Sequence, residues 1–444
     1  MTTTIDAPES MYRSVEGLGV WEHRGKVAAV GVGHSPTSRR WDGKPETTVG
    51  AGSILSMRQA MDDAGVSPDQ VDGLVIVPVT TTGAHWPEGE PLPMDVVNAF
   101  NQTDDPLDGL GQLSADWLEL NMPELTNVKF KMHAPGCMSA AIVTAAQAIG
   151  DGLAETCLVV KGWHNLIGRY NHGGLSAADP VSGTVAIGPG RSLWGPPGCY
   201  GTALQFAQYC HKYGKNHDMM APFMQNSRRN GLMFPEGYWY QHRPEELPPE
   251  DYLSSRWIAK PANLFDNDIP IMCSAAYLFT TAERAQDMKQ KPVYILGHAS
   301  SRGTARSITP TLEEVEAETG STGRKIYESA GITAADLSFE NMYDGFAQFH
   351  QFHVEGLGYR GMGFGDALDF YQTDISIEGP NPIQPSGGNI GSGRSRFWMH
   401  TDSIQQLQGR AGARQVTGVK PEVAVSGGPM PLGGNFTVWS ATPD

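Results

Sequence analysis

The sequence predicts an α/β protein built from two related halves, on three observations. Short apolar runs that end in glycine turns alternate with stretches of helical periodicity, the pattern of strand–helix–strand units. One such unit occurs twice. Lys26–Ser35 is an apolar run closed by Gly33-His34, and Pro292–Ser300 repeats it with Gly297-His298. Asp63-Ala64-Gly65-Val66 has its counterpart in Ser329-Ala330-Gly331-Ile332. The separations are 264 residues (His34 to His298) and 266 residues (Gly65 to Gly331), so the register nearly holds and an internal duplication explains both. Finally, each half carries a small-residue or glycine-led helix. The run Met132–Ala141 leads into an apolar, small-residue helix that continues to about Ile149 and is poor in charge, so it is expected at the centre. Pro385–Gly393 is a glycine loop leading into a helix that reaches about Leu407.

The elements follow in order. Residues 1–24 read as a tail. The first half is expected over 25–270 and the second over 271–444. After the first strand, Ile54, Met57, Met61 and Ala64 recur at three and four, so a helix is expected over 49–64, stopped by Gly65. Gly73–Val77 is the next strand, followed by a Pro- and Trp-containing insertion over about 81–126. Strands are expected at 127–131 and 154–160, on either side of the central helix. A loop-rich excursion covers about 163–260, with a helix near 203–213 and the aromatic cluster Phe234–Tyr240 in a loop. The second half is expected to start with a strand at 275–279 and to finish with one at 422–425.

Composition narrows the function. The net charge of −16 argues against a nucleic-acid surface. No run of about 18 apolar residues occurs, so no membrane span is expected. Met1–Asp6 lacks a basic segment followed by an apolar core, so no secretory leader is expected. Five scattered cysteines without a CxxC pair fit a reducing, cytoplasmic setting and no structural zinc. His350 and His353 have metal-ligand spacing but no third ligand in sight, and are expected to pack; no metal site is expected. His133, just before the central helix, has a site-facing reading and a structural one.

Glu340–Ala347 is the stretch with most chemical promise. It reads as a strand end turning into a helix, with Met342 and Phe346 toward the core and Tyr343 and Asp344 outward. A phenol and a carboxylate there suit proton transfer. The alternative is a tyrosine that packs its ring and ties its hydroxyl to the backbone.

Four further segments occur in a telling order: Ser227-Arg228-Arg229-Asn230, Ser255–Pro261, Tyr343-Asp344-Gly345-Phe346 and Ser386-Gly387-Gly388-Asn389. Together with the duplication, they make residues 25–442 resemble the thiolase superfamily, in its lipid-transfer-protein-like branch. The fold this implies is a five-layered αβαβα arrangement of two duplicated halves. The departures from the thiolase pattern concern chemistry. Tyr343-Asp344-Gly345-Phe346 stands where related thiolases have His-Asp-Cys-Phe. Gly393-Arg394-Ser395 stands for Gly-His-Pro, with His400 a displaced substitute for the histidine, and Ser426-Gly427-Gly428 stands for the final Cys-x-Gly. Counting back from Ala141 and Ile142 puts the thiolase nucleophile at Pro135, which leaves Cys137 a packed residue. A two-residue gap restores Cys137 as nucleophile.

The same departures resemble the steroid side-chain aldolases of that superfamily, which rely on tyrosines. The resemblance implies retro-aldol cleavage of a β-hydroxyacyl-CoA, with Tyr343 as base. Tyr240, or else Tyr238, is the second tyrosine, and Asp344 is a positioning or capping group. Coenzyme A enters as part of the substrate, with no prosthetic group. Gly387 and Gly388 are expected near the thioester and pantetheine, and Arg228, Arg229 and Lys260 near the nucleotide phosphates. A homodimer and a small partner with an oligonucleotide-binding-like fold and a zinc ribbon are implied. Two other readings stand: a cysteine-dependent acyltransferase using Cys137, and a non-catalytic lipid carrier.

Overall fold

The computed structural model describes residues 19–78, 91–134, 137–163, 198–301, 311–428 and 434–444. The apolar runs form strands β1 (Val27–His34), β2 (Gly73–Ile76), β3 (Phe130–His133), β4 (Thr156–Trp163), β5 (Trp257–Ala259), β6 (Ala262–Asn263), β7 (Cys273–Thr281), β8 (Val293–Ser300), β9 (Phe339–Met342), β10 (Val423–Gly428) and β11 (Asn435–Ser440). Nine of them join in the order β3-β2-β4-β7-β1-β8-β11-β10-β9, and β5 pairs only with β6.

Counting outward from the β1–β8 seam displays the duplication. β7 is antiparallel to β1, β4 antiparallel to β7, and β2 parallel to β4. On the other side β11 is antiparallel to β8, β10 antiparallel to β11, and β9 parallel to β10. By this order β7 corresponds to β11. The strand expected to open the second half therefore lies between β4 and β1, inside the first repeat.

Nine helices matter below: α1 (Val49–Ala64), α2 (Met138–Gly150), α3 (Gly198–Tyr213), α4 (Ala221–Leu232), α5 (Tyr238–His242), α6 (Leu312–Ala330), α7 (Ala347–Leu357), α8 (Gly388–Ser392) and α9 (Trp398–Gln408). α1 starts at Thr48, whose hydroxyl accepts from Ala51 N, and α6 at the capping box of Thr311 and Glu314. Both end on a left-handed glycine, Gly65 at φ 73° and Gly331 at φ 65°. The matching sequence signals thus produce matching helix ends.

Strand residues alternate between cores, as period-two burial requires. Leu74, Ile76 and Leu158 meet Ile54, Met57 and Met61 of α1. Val75, Val159, Ile295 and Trp439 point the other way, toward Ile142 and Ile149 of α2 and Ile404 and Leu407 of α9. Leu296 and Val438 face a third core with Val315 and Ile326 of α6 and Phe352 of α7. The layers are α1, the first-repeat strands, α2 with α9, the second-repeat strands, and α6 with α7. This is the expected five-layered αβαβα arrangement. Among the described residues, no helix is long and apolar enough to cross a membrane.

Three local expectations change. Tyr238–His242 is a short helix rather than loop, and Arg228 and Arg229 lie on α4 inside the excursion. The helix expected from the glycine loop to Leu407 is two, α8 and α9. Gly393 at φ 98° and Arg396 at φ 62° interrupt it. Most of the excursion's first part, residues 164–197, lies outside the described residues.

Candidate active site

β9 ends at Met342 beside the last residues of β10, and Tyr343 N donates to Gly427 O at 2.9 Å. Here the outward-facing reading is corrected. Tyr343 is 3% exposed and Asp344 fully buried, because α8 and the segment after it close over the strand end. Asp344 accepts from Asn389 N at 2.6 Å, from Asn389 Nδ2 at 3.3 Å and from Ile390 N at 3.2 Å. It caps α8 rather than its own helix. Burial raises its carboxyl to about 6, against the Asn389 N–H bond.

Gly345 explains the turn. A Cβ there would lie 1.9 Å from the Tyr343 hydroxyl and 2.9 Å from Asp268 Oδ2. The phenol curls over Gly345, and Asp268 borders the same small space. Asp268 N donates to Gly345 O at 3.1 Å, Asn267 bridges Phe346, and Arg394 N donates to Ile269 O at 2.8 Å. Residues 267–270 are therefore clamped between the Tyr343 turn and the segment after α8.

That segment brings the cations. Asn389 Oδ1 accepts from both Ser395 N and Arg396 N at 2.9 Å, holding Arg396 in its left-handed conformation. The Arg396 guanidinium lies 5.8 Å from the Tyr343 ring and 5.2 Å from Trp163. Arg394 lies 5.6 Å from Trp163, and the fully buried Lys161 ammonium sits 3.9 Å over the same ring. Burial pulls Lys161 down to about 7, and Arg396 lowers it further. Burial pushes the Tyr343 phenol above its usual value; Arg396 and Arg394 oppose this and Asp268 adds to it. Asp268 rises to about 7, burial being the main cause and Arg394 the main opposition.

Pro135, where the count put the nucleophile, lies outside the described residues, and Cys137 is the N-cap residue of α2. Its Sγ donates to Gly428 O at 3.3 Å. His400, which meets this helix start, bonds Ser139 at 2.8 Å and Ser426 at 2.7 Å instead, and Trp439 Nε1 also donates to Ser426. Burial lowers His400 to about 3, so it is a neutral imidazole linking α2, α9 and β10.

With this geometry in view, a family model described as thiolase C-terminal domain-like matches residues 301–435. The 17-hydroxy-3-oxo-4-pregnene-20-carboxyl-CoA lyase of Mycobacterium tuberculosis is 27% identical over 428 residues, 92% of this chain and 98% of that protein. The steroid side-chain-cleaving aldolase of Thermomonospora curvata is 25% identical over 83% of this chain and 86% of its own. The chain is thus similar over most of its length to a carboxyl-CoA lyase and a steroid side-chain-cleaving aldolase. Among solved structures, the Ltp2–ChsH2 (DUF35) aldolase superposes with TM-score 0.72 at 21% identity, covering 94% of this chain and 98% of that one.

The two candidate second tyrosines part company. Tyr240 is 48% exposed on α5. Tyr238 is buried, packs against Gly393 and lies beside Arg39, whose guanidinium donates to Pro270 O. It therefore touches the framework of the site.

The expected ligand glycines have another task. A Cβ at Gly387 would meet Gly231 N at 2.4 Å, and one at Gly388 would meet Asp344 Oδ2 at 2.1 Å. Gly231 and Gly391 likewise allow α4 and α8 to touch backbone to backbone. The loop is a buried helix contact, and this packing by itself requires glycine at both positions. Arg228 is also buried: its guanidinium stacks 3.5 Å over Trp239 and donates to Glu245 O, and burial lowers it to about 10. Arg229 makes a two-pronged pair with Glu378 at 2.6 and 2.8 Å. Both line a groove with Gln225, Leu232 and Pro248. Lys260 is exposed beside Trp257. His133 is exposed and accepts from Ala115 N, and His350 is held between Glu340 and Tyr371.

Sequence reasoning missed Asp268, Lys161 and Arg396. The available signals were a lysine inside an apolar strand and an arginine after a glycine loop. Replacing Gly345 with Ala should displace the phenol by the order of an ångström and lower the turnover rate by about 10²-fold. Steady-state kinetics with a folded, soluble G345A variant checks this; unchanged turnover removes Tyr343 from the reacting centre.

Proposed function

We propose that this protein cleaves a β-hydroxyacyl-CoA with a bulky, steroid-like acyl group by a retro-aldol reaction, releasing a ketone or aldehyde and a short acyl-CoA. One observation carries the reading. A buried phenol, flanked by a carboxylate and guanidinium groups, sits at the β9 end of a chain whose relatives over most of its length are lyases and aldolases. The base takes the β-hydroxyl proton, the bond to the α-carbon breaks, and the electron pair enters a thioester enolate. That carbon then receives a proton. No acyl-enzyme is needed, so no nucleophilic cysteine is needed. Tyr343 receives the hydroxyl proton. Arg396 and Arg394 supply positive charge where the enolate oxygen develops charge. Tyr238 is the second tyrosine this geometry favours over Tyr240. Asp344 holds α8 and, through Asn389, the Arg396 turn.

The coenzyme A portion is assigned to the groove beside α4, where Arg229 exchanges Glu378 for a phosphate. A homodimer in the cytoplasm and a small partner protein, such as the one in the Ltp2–ChsH2 aldolase, complete the proposal.

The position of Cys137 at the α2 N-cap favours one second reading, a cysteine-dependent acyltransferase, since a helix start stabilises thiolate. Against it, the thiol donates to a carbonyl oxygen, which a thiolate would confront unfavourably. Cys137→Ala should leave C–C cleavage within about threefold of the parent, a surface-like tolerance for a small buried change; loss of all turnover would favour the acyltransferase.

The function is tested by incubating the protein, with and without its partner, against a panel of β-hydroxyacyl-CoAs. Appearance of a shorter acyl-CoA with an equal amount of ketone or aldehyde is expected. Failure to cleave any member in either condition rejects the proposal.

A further inference from the structure

The retro-aldol reading leaves a difficulty. A phenol is a useful base near neutral pH only if something takes its own proton, and burial moves Tyr343 away from easy ionisation. The structure holds a candidate recipient from an unexpected part of the chain. We propose that Asp268 is a proton-transfer residue that works with Tyr343. As the phenol oxygen takes the substrate's hydroxyl proton, the phenol's own proton passes to the Asp268 carboxylate, and it returns by the same route.

The geometry supports this on three counts. The Tyr343 hydroxyl and Asp268 Oδ2 border one space above Gly345, kept open by the missing side chain. Asp268 is 5% exposed, and its segment is fixed on both sides, by Gly345 O and Phe346 on one and by Arg394 on the other. The surrounding charges balance it. Arg394 and Arg396 from the segment after α8 favour the carboxylate, while Asp344 from the Tyr343 turn disfavours it. Behind Trp163 stand Lys161, Cys137 and Cys273. On Asp268's own segment, Asp266 is occupied by His217 and Tyr252. The carboxyl value near 7 then matches a base for neutral pH.

The proton count closes. The C–C electron pair goes to the enolate, and the substrate proton goes to Tyr343 as the Tyr343 proton goes to Asp268. The enolate carbon is then protonated from Tyr343, which recovers its proton from Asp268. Tyrosine is never left as a free phenolate, and no outside acid is consumed. The inference rests on the retro-aldol reading of this site.

Two measurements test it. The first is kcat against pH for parent, Asp268→Asn and Asp268→Glu, with the partner present and 17-hydroxy-3-oxo-4-pregnene-20-carboxyl-CoA as probe. The carboxylate is the active form, so the parent rate should fall as pH drops through about 7. Asp268→Asn should lower kcat by about 10²-fold or more, with KM little changed, and remove that limb; Asp268→Glu should restore part of the rate and a shifted limb. A parent-like profile in Asp268→Asn overturns the inference while leaving the aldolase reading intact. The second needs no turnover: an ultraviolet titration of tyrosine ionisation. The step absent from Tyr343→Phe should move to lower pH in Asp268→Asn, because a nearby negative charge has gone. An unmoved step overturns the coupling even if the probe proves not to be a substrate.

Discussion

Tyr343→Phe should abolish cleavage of β-hydroxyacyl-CoA, lowering kcat by about 10²–10⁴-fold, the range lost with a positioned acid–base group. The fold should survive, because the hydroxyl borders the space over Gly345 while the ring keeps its contact with Phe349, 6.2 Å between centroids. Circular dichroism and thermal unfolding should therefore match the parent within a few degrees. KM should change little, since the phenol acts on the bond-breaking step. Full activity in this variant would leave the β9 turn as a packing feature and remove the central claim.

The largest stability effect is expected away from the site. Arg414 is 2% exposed and pairs with the fully buried Asp402 of α9. It also donates to Gln405 Oε1 at 2.6 Å and lies 3.9 Å over the Phe234 ring. Asp402 in turn accepts from Asn341 Nδ2 at 2.9 Å, which ties α9 to β9. Removing one partner of a buried pair strands the other charge and typically costs about 3–5 kcal/mol. Arg414→Ala should therefore shift the urea midpoint strongly downward. Replacing both partners, Arg414→Met with Asp402→Leu, should recover much of the loss. Equal stability of R414A and the parent would mean that the pair is already compensated by its neighbours.

Local signals in the chain were sufficient for the scaffold. The Gly65 and Gly331 stops and the period-three-and-four apolar face of α1 are short-range features, and each became the element it announced; the repeated Gly-His pairs, read as turns, lie instead inside β1 and β8. Tyr343 was visible for the same reason, as one residue on a recognisable strand end. A count along the chain left Cys137 with two readings, packed residue or nucleophile, because it cannot see that Cys137 is the N-cap of α2. Gly387 and Gly388 looked like ligand glycines, but close approach of two helices needs the same lack of Cβ. Tyr240 and Tyr238 are two steps apart on one helix, so only their surroundings separate an exposed phenol from one packed on Gly393.

By itself the amino-acid order determined two α/β repeats, a charge-free central helix and a tyrosine at the turn after β9, because helix periodicity, caps and strand runs are written in adjacent residues. Tertiary structure alone decided which groups surround that phenol. Asp268, Arg394, Arg396 and Lys161 come from three separate segments, and no local signal says that they meet. They meet because β4 and the 267–270 and 393–397 segments converge beside the β9 turn, where exclusion of water gives each charge its altered acidity.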